Sequence, residues 1–333
     1  MAGHVTMADV ARAAGVSRMT VSRVINDKGE ISSTTRQRVL EVIEQLDYRP
    51  SSIARGLATR KTTTIGLVVP DIANPFFSDL ACGVADRAYS EGYNVFLCNT
   101  HENLHRELQI LESLVEQRVD GLMLCSSRLP DDMLRRSLRR HSAAVLVNRR
   151  LADSDVGTVV LTDRQGAQTA AGHLLQSGHR AIGFLAGPAT SYSGRQRAEG
   201  FRAALSAAGV SHNPAWVQHC SSGMEGGRET ALEMLAQHPE LTALFCYNDL
   251  VAVGALQACT ILGRRVPDDV AIVGFDDIPL AGLVSPPLTT CRVSRVELGD
   301  RAMELLLRGI AGRTEECEEI TLRPELVVRA SAP

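Results

Sequence analysis

Lysine is almost missing from this 333-residue chain: Lys28 and Lys61 are the only two among 35 cationic side chains. The arginines that replace it run the whole length, so we read their excess as codon bias rather than as the mark of one region. Eight cysteines occur (Cys82, Cys98, Cys125, Cys220, Cys246, Cys259, Cys291 and Cys317), yet none forms a Cys-x-x-Cys pair. That argues against a thiolate metal site or a disulfide framework and for buried, reduced thiols. No run of about 18 apolar residues is present, so no helix is expected to cross a membrane. The start has a helix-capping pattern in place of a basic stretch and an apolar core, which predicts a cytoplasmic protein without a secretory leader. No Gly-x-Gly-x-x-Gly follows the first strand pattern and no Gly-x-Ser-x-Gly elbow occurs, which disfavours a dinucleotide enzyme and a serine hydrolase. We expect no enzyme activity, no cofactor and no metal.

The charge is unevenly placed. The net value of -3 divides into ten Lys+Arg against six Asp+Glu up to Lys61, and 25 against 32 afterwards. A basic end of about sixty residues on an acidic remainder is the distribution that phosphate contact requires. Within that end, Thr6-Met7-Ala8-Asp9 has the form of a capping box, and Gly15 stands where a first helix would stop. Ser17 suits the cap of a second helix whose Val21 and Val24 or Ile25 face inward. Arg18, Met19, Ser22 and Arg23 then share the outer face, which is what a DNA major groove admits. Asn26-Asp27-Lys28-Gly29 reads as a turn. A third helix is expected near Ser33, with Val39, Ile43 and Leu46 on its core face.

Beyond Tyr48, Pro50 blocks helix continuation and Ser51 or Ser52 can cap a new two-turn helix. Gly56 makes that helix barely stable in isolation. It reads either as a plain linker or as a segment that folds on DNA. Residues 5–61, with Ile65-Gly66-Leu67-Val68-Val69-Pro70 following, resemble a LacI-type bacterial transcription regulator, and the resemblance covers essentially the whole chain. It implies that Arg18, Met19 and Arg23 read bases, while Ser17, Thr20 and Ser22 help with phosphates and Thr6 joins the DNA-facing set. It also implies that Leu57 wedges into the minor groove with Ala54 beside it. Such wedging costs a few kcal/mol and is offset by the surface a bent duplex can wrap. Ser51 departs from the asparagine of many members.

From Thr64 the pattern changes to apolar runs at 65–69, 95–98, 121–125, 144–147, 156–161, 182–186, 243–246 and 271–275. Helical patterns separate them at 76–91, 104–118, 163–177, 195–209, 225–236 and 249–262. The expected fold is therefore an all-α helix-turn-helix head (1–49), a hinge (50–61), and an α/β sensor (62–333) of two doubly wound parallel-sheet lobes. The family resemblance implies a sensor similar to type I periplasmic binding proteins, with lobe 1 at about 62–160 and 293–319 and lobe 2 at about 161–292 and 320–333. Ligands of open α/β sheets bind beyond the carboxyl ends of the strands, where this chain collects polar and aromatic residues. By residue type alone, Phe76 and Phe77 also suit a helix core face, Asp276 a cap, and Arg197 a surface pair with Glu199. The family resemblance assigns Asn74, Phe76, Phe77, Asn148, Arg149, Arg197, Asn248 and Asp276 to an effector pocket. Val293 stands where several sugar-binding members carry glutamine. With Arg149 and Arg197 available and Arg292 close by, a sugar acid would be well paired.

These features point to a homodimeric repressor that leaves a pseudopalindromic operator when a small sugar or sugar acid binds. A corepressor-type or phosphoprotein-dependent regulator is one alternative. A binding protein or hydrolase on the same frame is another.

Overall fold

The computed structural model describes residues 5–27, 29–48, 61–313 and 318–333. The chain divides into two units, Met1–Thr62 and Thr63–Pro333.

In the first unit, α1 (Met7–Ala14), α2 (Arg18–Ile25) and α3 (Ser33–Gln45) follow the local chemistry closely. Thr6 accepts from the Asp9 amide while the Asp9 side chain accepts from the Thr6 amide, so the capping box is complete. Gly15 ends α1 at φ 64°, a conformation glycine adopts without steric cost. Ser17 and Ser32 cap the next two helices. Each such cap contributes about 1 kcal/mol, a large share for so small a unit. Val10, Ala11, Ala14, Val21, Val24, Val39 and Tyr48 form its buried core, with Ile43 and Leu46 partly buried against it. Ser51, Ala54 and Leu57 lie outside the described residues.

The second unit carries two parallel sheets. The first contains β1 (Thr64–Val69), β2 (Asn94–Asn99), β3 (Gly121–Cys125), β4 (Ala144–Val147), β5 (Gly157–Leu161) and β11 (Glu319–Leu322), in the order β11-β5-β4-β3-β1-β2. The second contains β6 (Ile182–Leu185), β7 (Val217–Gln218), β8 (Ala243–Cys246) and β9 (Ala271–Val273), in the order β7-β6-β8-β9. An antiparallel pair, β10 (Thr290–Arg292) with β12 (Glu325–Val327), accompanies them. Central strands such as β1 and β3 are buried on both faces because helices cover both, so their sequences read as unbroken apolar runs.

The covering helices are α4 (Pro75–Ser90), α5 (Leu104–Glu116), α6 (Asp131–Leu138), α7 (Asp163–Gln176), α8 (Tyr192–Ala207), α9 (Met224–Gln237), α10 (Asp249–Ile261) and α11 (Arg295–Ile310). Two of these were not expected, α6 and α11. In α6 only Leu134 and Leu138 are buried, among arginines and aspartates, so the apolar stripe is too thin to read. β11 ends at Leu322, so the first sheet continues past the lobe crossing expected near 319.

Glycines set how closely the helices approach. A methyl group on Gly299 of α11 would be driven into the Leu80 carbonyl of α4, and one on Gly83 of α4 into the Val296 carbonyl of α11. Gly227 and Gly254 stand in the same relation between α9 and α10. Helix propensity alone would favour alanine at such sites by about 1 kcal/mol. Overpacking instead costs about 1–3 kcal/mol, so Gly299→Ala should destabilise the second unit. Urea denaturation of the variant gives the sign, and a stabilised variant would mean the two helices can part at no cost.

Candidate nucleic-acid interface and ligand cleft

Helix α2 presents Arg18, Met19 and Arg23 to solvent, and Met19 is 65% exposed. Val21 and Val24 are buried beneath them, so the helix cannot turn these side chains inward without emptying the core. Leaving a methionine exposed between two arginines has no packing purpose within this unit. The remaining expected contacts are partly engaged. Ser17 Oγ and Thr20 Oγ1 lie 2.9 Å apart, and Asn26 Nδ2 donates to the Ser22 carbonyl at 2.8 Å. The Thr6 hydroxyl donates to Asp9 Oδ2 at 2.6 Å, so its proton is spent on the cap.

In the second unit one cleft gathers residues from the carboxyl ends of strands in both sheets. Asn74, Phe76 and Phe77 follow β1, and Asn148 follows β4. From the other lobe come Arg197 on α8, Asn248 after β8 and Asp276 after β9. All the expected effector residues except Arg149 therefore line it. The free volume between them is about 20 Å³, room for about one water.

Arg197 organises the lobe 2 wall. Its Nε donates to Asp163 Oδ1 at 2.8 Å, Nη1 to the Tyr247 carbonyl and Nη2 to Asp276 Oδ1 at 3.3 Å. The guanidinium lies 3.7 Å from the centroid of the Phe275 ring. Its partners are thus Asp163 and Asp276 rather than the surface pair with Glu199. Burial pushes the Asp276 carboxyl up to about 6, although Arg197 and Arg295 pull the other way. Burial likewise raises Asp163.

Asn74 and Asn248 cap α4 and α10, accepting from the Phe76 and Val251 amides at 3.0 and 2.8 Å. Asn248 Nδ2 also donates to the Ser222 carbonyl at 2.9 Å. Phe76 and Phe77 pack edge to face at 5.0 Å and serve both the core and the cleft. Asn148 Oδ1 is buried with no hydrogen-bond partner among the described residues, an acceptor placed where a ligand donor would satisfy it.

Arg149 and Arg292 correct the sequence reading. Asn148 takes a left-handed φ of 51° and directs its own side chain into the cleft. Arg149 points elsewhere, donating to Asp131 Oδ1 at 2.5 Å and to the Leu129 and Arg150 carbonyls. Arg292 is half exposed and paired with Asp277 at 2.7 Å. Neither lines the cleft, and three of the five Arg197 N–H donors go to Asp163, the Tyr247 carbonyl and Asp276, so the expected arginine support for an anionic ligand is not where the sequence suggested.

Six lining residues escaped the sequence reading: Glu102, Ser126, Arg128, Ser193, Ser222 and Tyr247. Ser126 and Arg128 directly follow β3 and Tyr247 directly follows β8, so the strand-end rule could have found them. Ser222 follows β7, a two-residue strand with no readable pattern. Glu102 belongs to His101-Glu102-Asn103-Leu104-His105, a string with the letters of a zinc-protease helix motif. That motif needs both histidines on one helical face. Here His101 and Glu102 sit at φ 52° and 57°, and α5 starts only at Leu104. No group of metal-ligating side chains forms among the described residues.

Comparison with known proteins agrees with this two-part layout. Residues 6–51 match the family described as bacterial regulatory proteins, lacI family, and residues 62–328 match periplasmic binding proteins and sugar binding domain of LacI family. The chain is 38% identical over 328 residues to the HTH-type transcriptional repressor PurR of Mannheimia succiniciproducens, covering 98% of each. Among solved structures it resembles the Lac repressor dimer bound to operator and the anti-inducer ONPF, at a TM-score of 0.89 and 28% identity over 99% of each chain. It also resembles a transcriptional regulator CelR–cellobiose complex, at a TM-score of 0.76 and 32% identity over 98% of this chain and 99% of that one.

Proposed function

Because this chain belongs to the LacI family and is a DNA-binding repressor of that kind, we propose that a small sugar or sugar acid, bound between the two lobes, releases it from a pseudopalindromic operator. The observation that carries this reading is the convergence of Asn74, Phe76, Phe77, Asn148, Arg197, Asn248 and Asp276 on one cleft. Aromatic rings cover the C–H face of such a ligand, while amides and carboxylates take its hydroxyls. Two lobes bridged by one ligand give the effector a differential affinity for lobe arrangements, and that difference is the coupling to DNA affinity.

A twofold operator requires two reading heads. Edge strand β2 exposes Phe96 and Leu97, each at 45%, and Leu283 is 80% exposed. Apolar surface of this kind supports pairing with a second copy. In the dimer Arg18, Met19 and Arg23 read bases, Ser17, Thr20 and Ser22 meet phosphates, and Leu57 with Ala54 enters the minor groove.

Operator titration with and without a panel of sugars and sugar acids tests the reading. Weaker operator binding with the cognate compound is expected. Tighter binding would make the ligand a corepressor, and a response only to an added phosphoprotein would move the control to a protein partner.

A pH dependence follows from Asp276. An effector hydroxyl donated to its carboxylate loses the charge that strengthens the bond once the group is protonated, so effector affinity should fall as pH drops through about 6. Asp276→Asn should bind weakly at every pH without that step. The linkage to stability has the opposite sense. The folded value lies above the ordinary 3.8, so Asp276 favours folding below that value and withdraws the contribution as pH rises through about 6.

A further inference from the structure

Among the described residues two arginines line the cleft, one paired with buried carboxylates and the other with a partly exposed one. Arg197 is held by Asp163 and Asp276, whose side chains are 1% and 6% exposed. Arg128 is equally buried, with its side chain 4% exposed, and lies near the buried Glu107 carboxylate and the Tyr247 side chain, but the carboxylate that pairs with its guanidinium, Glu102, is 24% exposed. That pair is bidentate, with Arg128 Nε to Glu102 Oε2 at 3.1 Å and Nη2 to Oε1 at 3.0 Å. Ser222 Oγ also donates to Glu102 Oε1 at 3.0 Å. Glu102 follows β2 of the first sheet and Ser222 follows β7 of the second, so this carboxylate joins the two lobes across the cleft.

The backbones on both sides are held by their own hydrogen bonds, and the Glu102 side chain is the member of the pair that reaches water. Buried Glu107 accepts from the Ser127 hydroxyl and from the Arg128 amide, which holds the loop after β3. The Glu102 amide donates to the Pro70 carbonyl at 3.1 Å, anchoring its left-handed turn. None of these contacts uses the Glu102 carboxylate, so displacing it towards water leaves them in place. Arg128 cannot follow, and a buried guanidinium keeps an anionic partner because leaving it unpaired is costly.

We propose that Glu102 is an internal stand-in for the effector: it neutralises Arg128 and ties lobe 1 to Ser222 of lobe 2 until a carboxylate on the effector takes its place. The proposal rests on reading this cleft as the effector site, and it selects a carboxylate-bearing ligand, a sugar acid, over a neutral sugar. Exchange of one carboxylate for another leaves the charge at Arg128 unchanged. It frees Ser222, so that the ligand instead of Glu102 sets the spacing of the lobes. Planar bidentate pairing with a guanidinium is the geometry that both carboxylates share.

Chemical rescue in the full chain tests the exchange without knowledge of the natural ligand. Glu102→Ala should lower Tm by several degrees, and acetate should restore much of the loss saturably. The isosteric neutral acetamide should not, and Glu102→Ala with Arg128→Met should ignore acetate. Equal responses to acetate and acetamide would overturn the proposal, as would a Glu102→Ala protein as stable as the parent and indifferent to acetate. Glu102→Gln, which keeps the shape and removes the charge, covers the case in which the alanine variant does not fold. It should bind a sugar acid such as gluconate about tenfold more tightly than the parent because the competing charge is gone, with a smaller change for glucose. Unchanged gluconate affinity in that variant sinks the proposal. Should neutral sugars alone displace operator while acetate rescues nothing, the cleft reading stands and the stand-in role falls. Should acetate rescue the alanine variant while no panel member moves the parent, the exchange at Arg128 stands and the sugar reading falls.

Discussion

Arg197→Met is expected to abolish the effector response and to destabilise the second unit by about 3–5 kcal/mol, the range for removing one partner of a buried ion pair. Methionine fills most of the volume, so the loss comes from stranding the carboxylates of Asp163 and Asp276 rather than from a cavity. Both are nearly inaccessible to water and both are already raised by burial. The double variant Arg197→Met with Asp163→Asn should recover part of the stability, because one of the stranded charges is removed, yet it should not recover the effector response. Urea denaturation together with operator release measures the two effects separately. A loss below about 1 kcal/mol would show that water enters the site and screens the carboxylates. Arg197→Lys should also fail to respond, since a single ammonium cannot serve Asp163, the Tyr247 carbonyl and Asp276 from one plane.

The second large effect belongs to α2. Arg18→Ala should weaken binding to the specific operator by about ten- to a hundredfold, the range for one bidentate base contact of about 1–3 kcal/mol, and should relax the preference at one position of each half-site. The head should keep its stability, because Arg18 is exposed and the core residues Val21 and Val24 are untouched. Non-specific binding should change little beyond the salt dependence of one lost cation. Fluorescence anisotropy on a selected operator and on a scrambled duplex, at two salt concentrations, distinguishes these terms. An equal loss on both duplexes would assign Arg18 to phosphate contact, with base reading left to Met19 and Arg23.

The head was legible from one sequence because its determinants are local. A capping box, a left-handed glycine, two further caps and a period of 3.6 residues each act within a few positions, so Thr6, Gly15, Ser17 and Val39 could be placed before any fold was known. The apolar runs of the central parallel strands were legible for a related reason, since burial on both faces leaves an unbroken signature. Short edge elements such as β7 and β11 carry no such mark, and α6 hides two buried leucines among arginines.

The expected cleft residues converged because strand ends in an open α/β sheet share one side, a topological rule that needs no coordinates. What the rule cannot supply is the direction of a side chain or the identity of its partner. Arg149 and Asn148 are neighbours in sequence, yet the left-handed backbone at Asn148 sends one into the cleft and the other to Asp131. Arg128 and Glu102 are 26 positions apart, and nothing near either residue announces the other. Sequence by itself therefore determined that this chain has a basic helical head followed by an α/β part, because those properties follow from local periodicity and charge. Only the tertiary structure decided which arginines line the cleft and with what partners, because that depends on pairing between segments that meet only when the sheets are assembled.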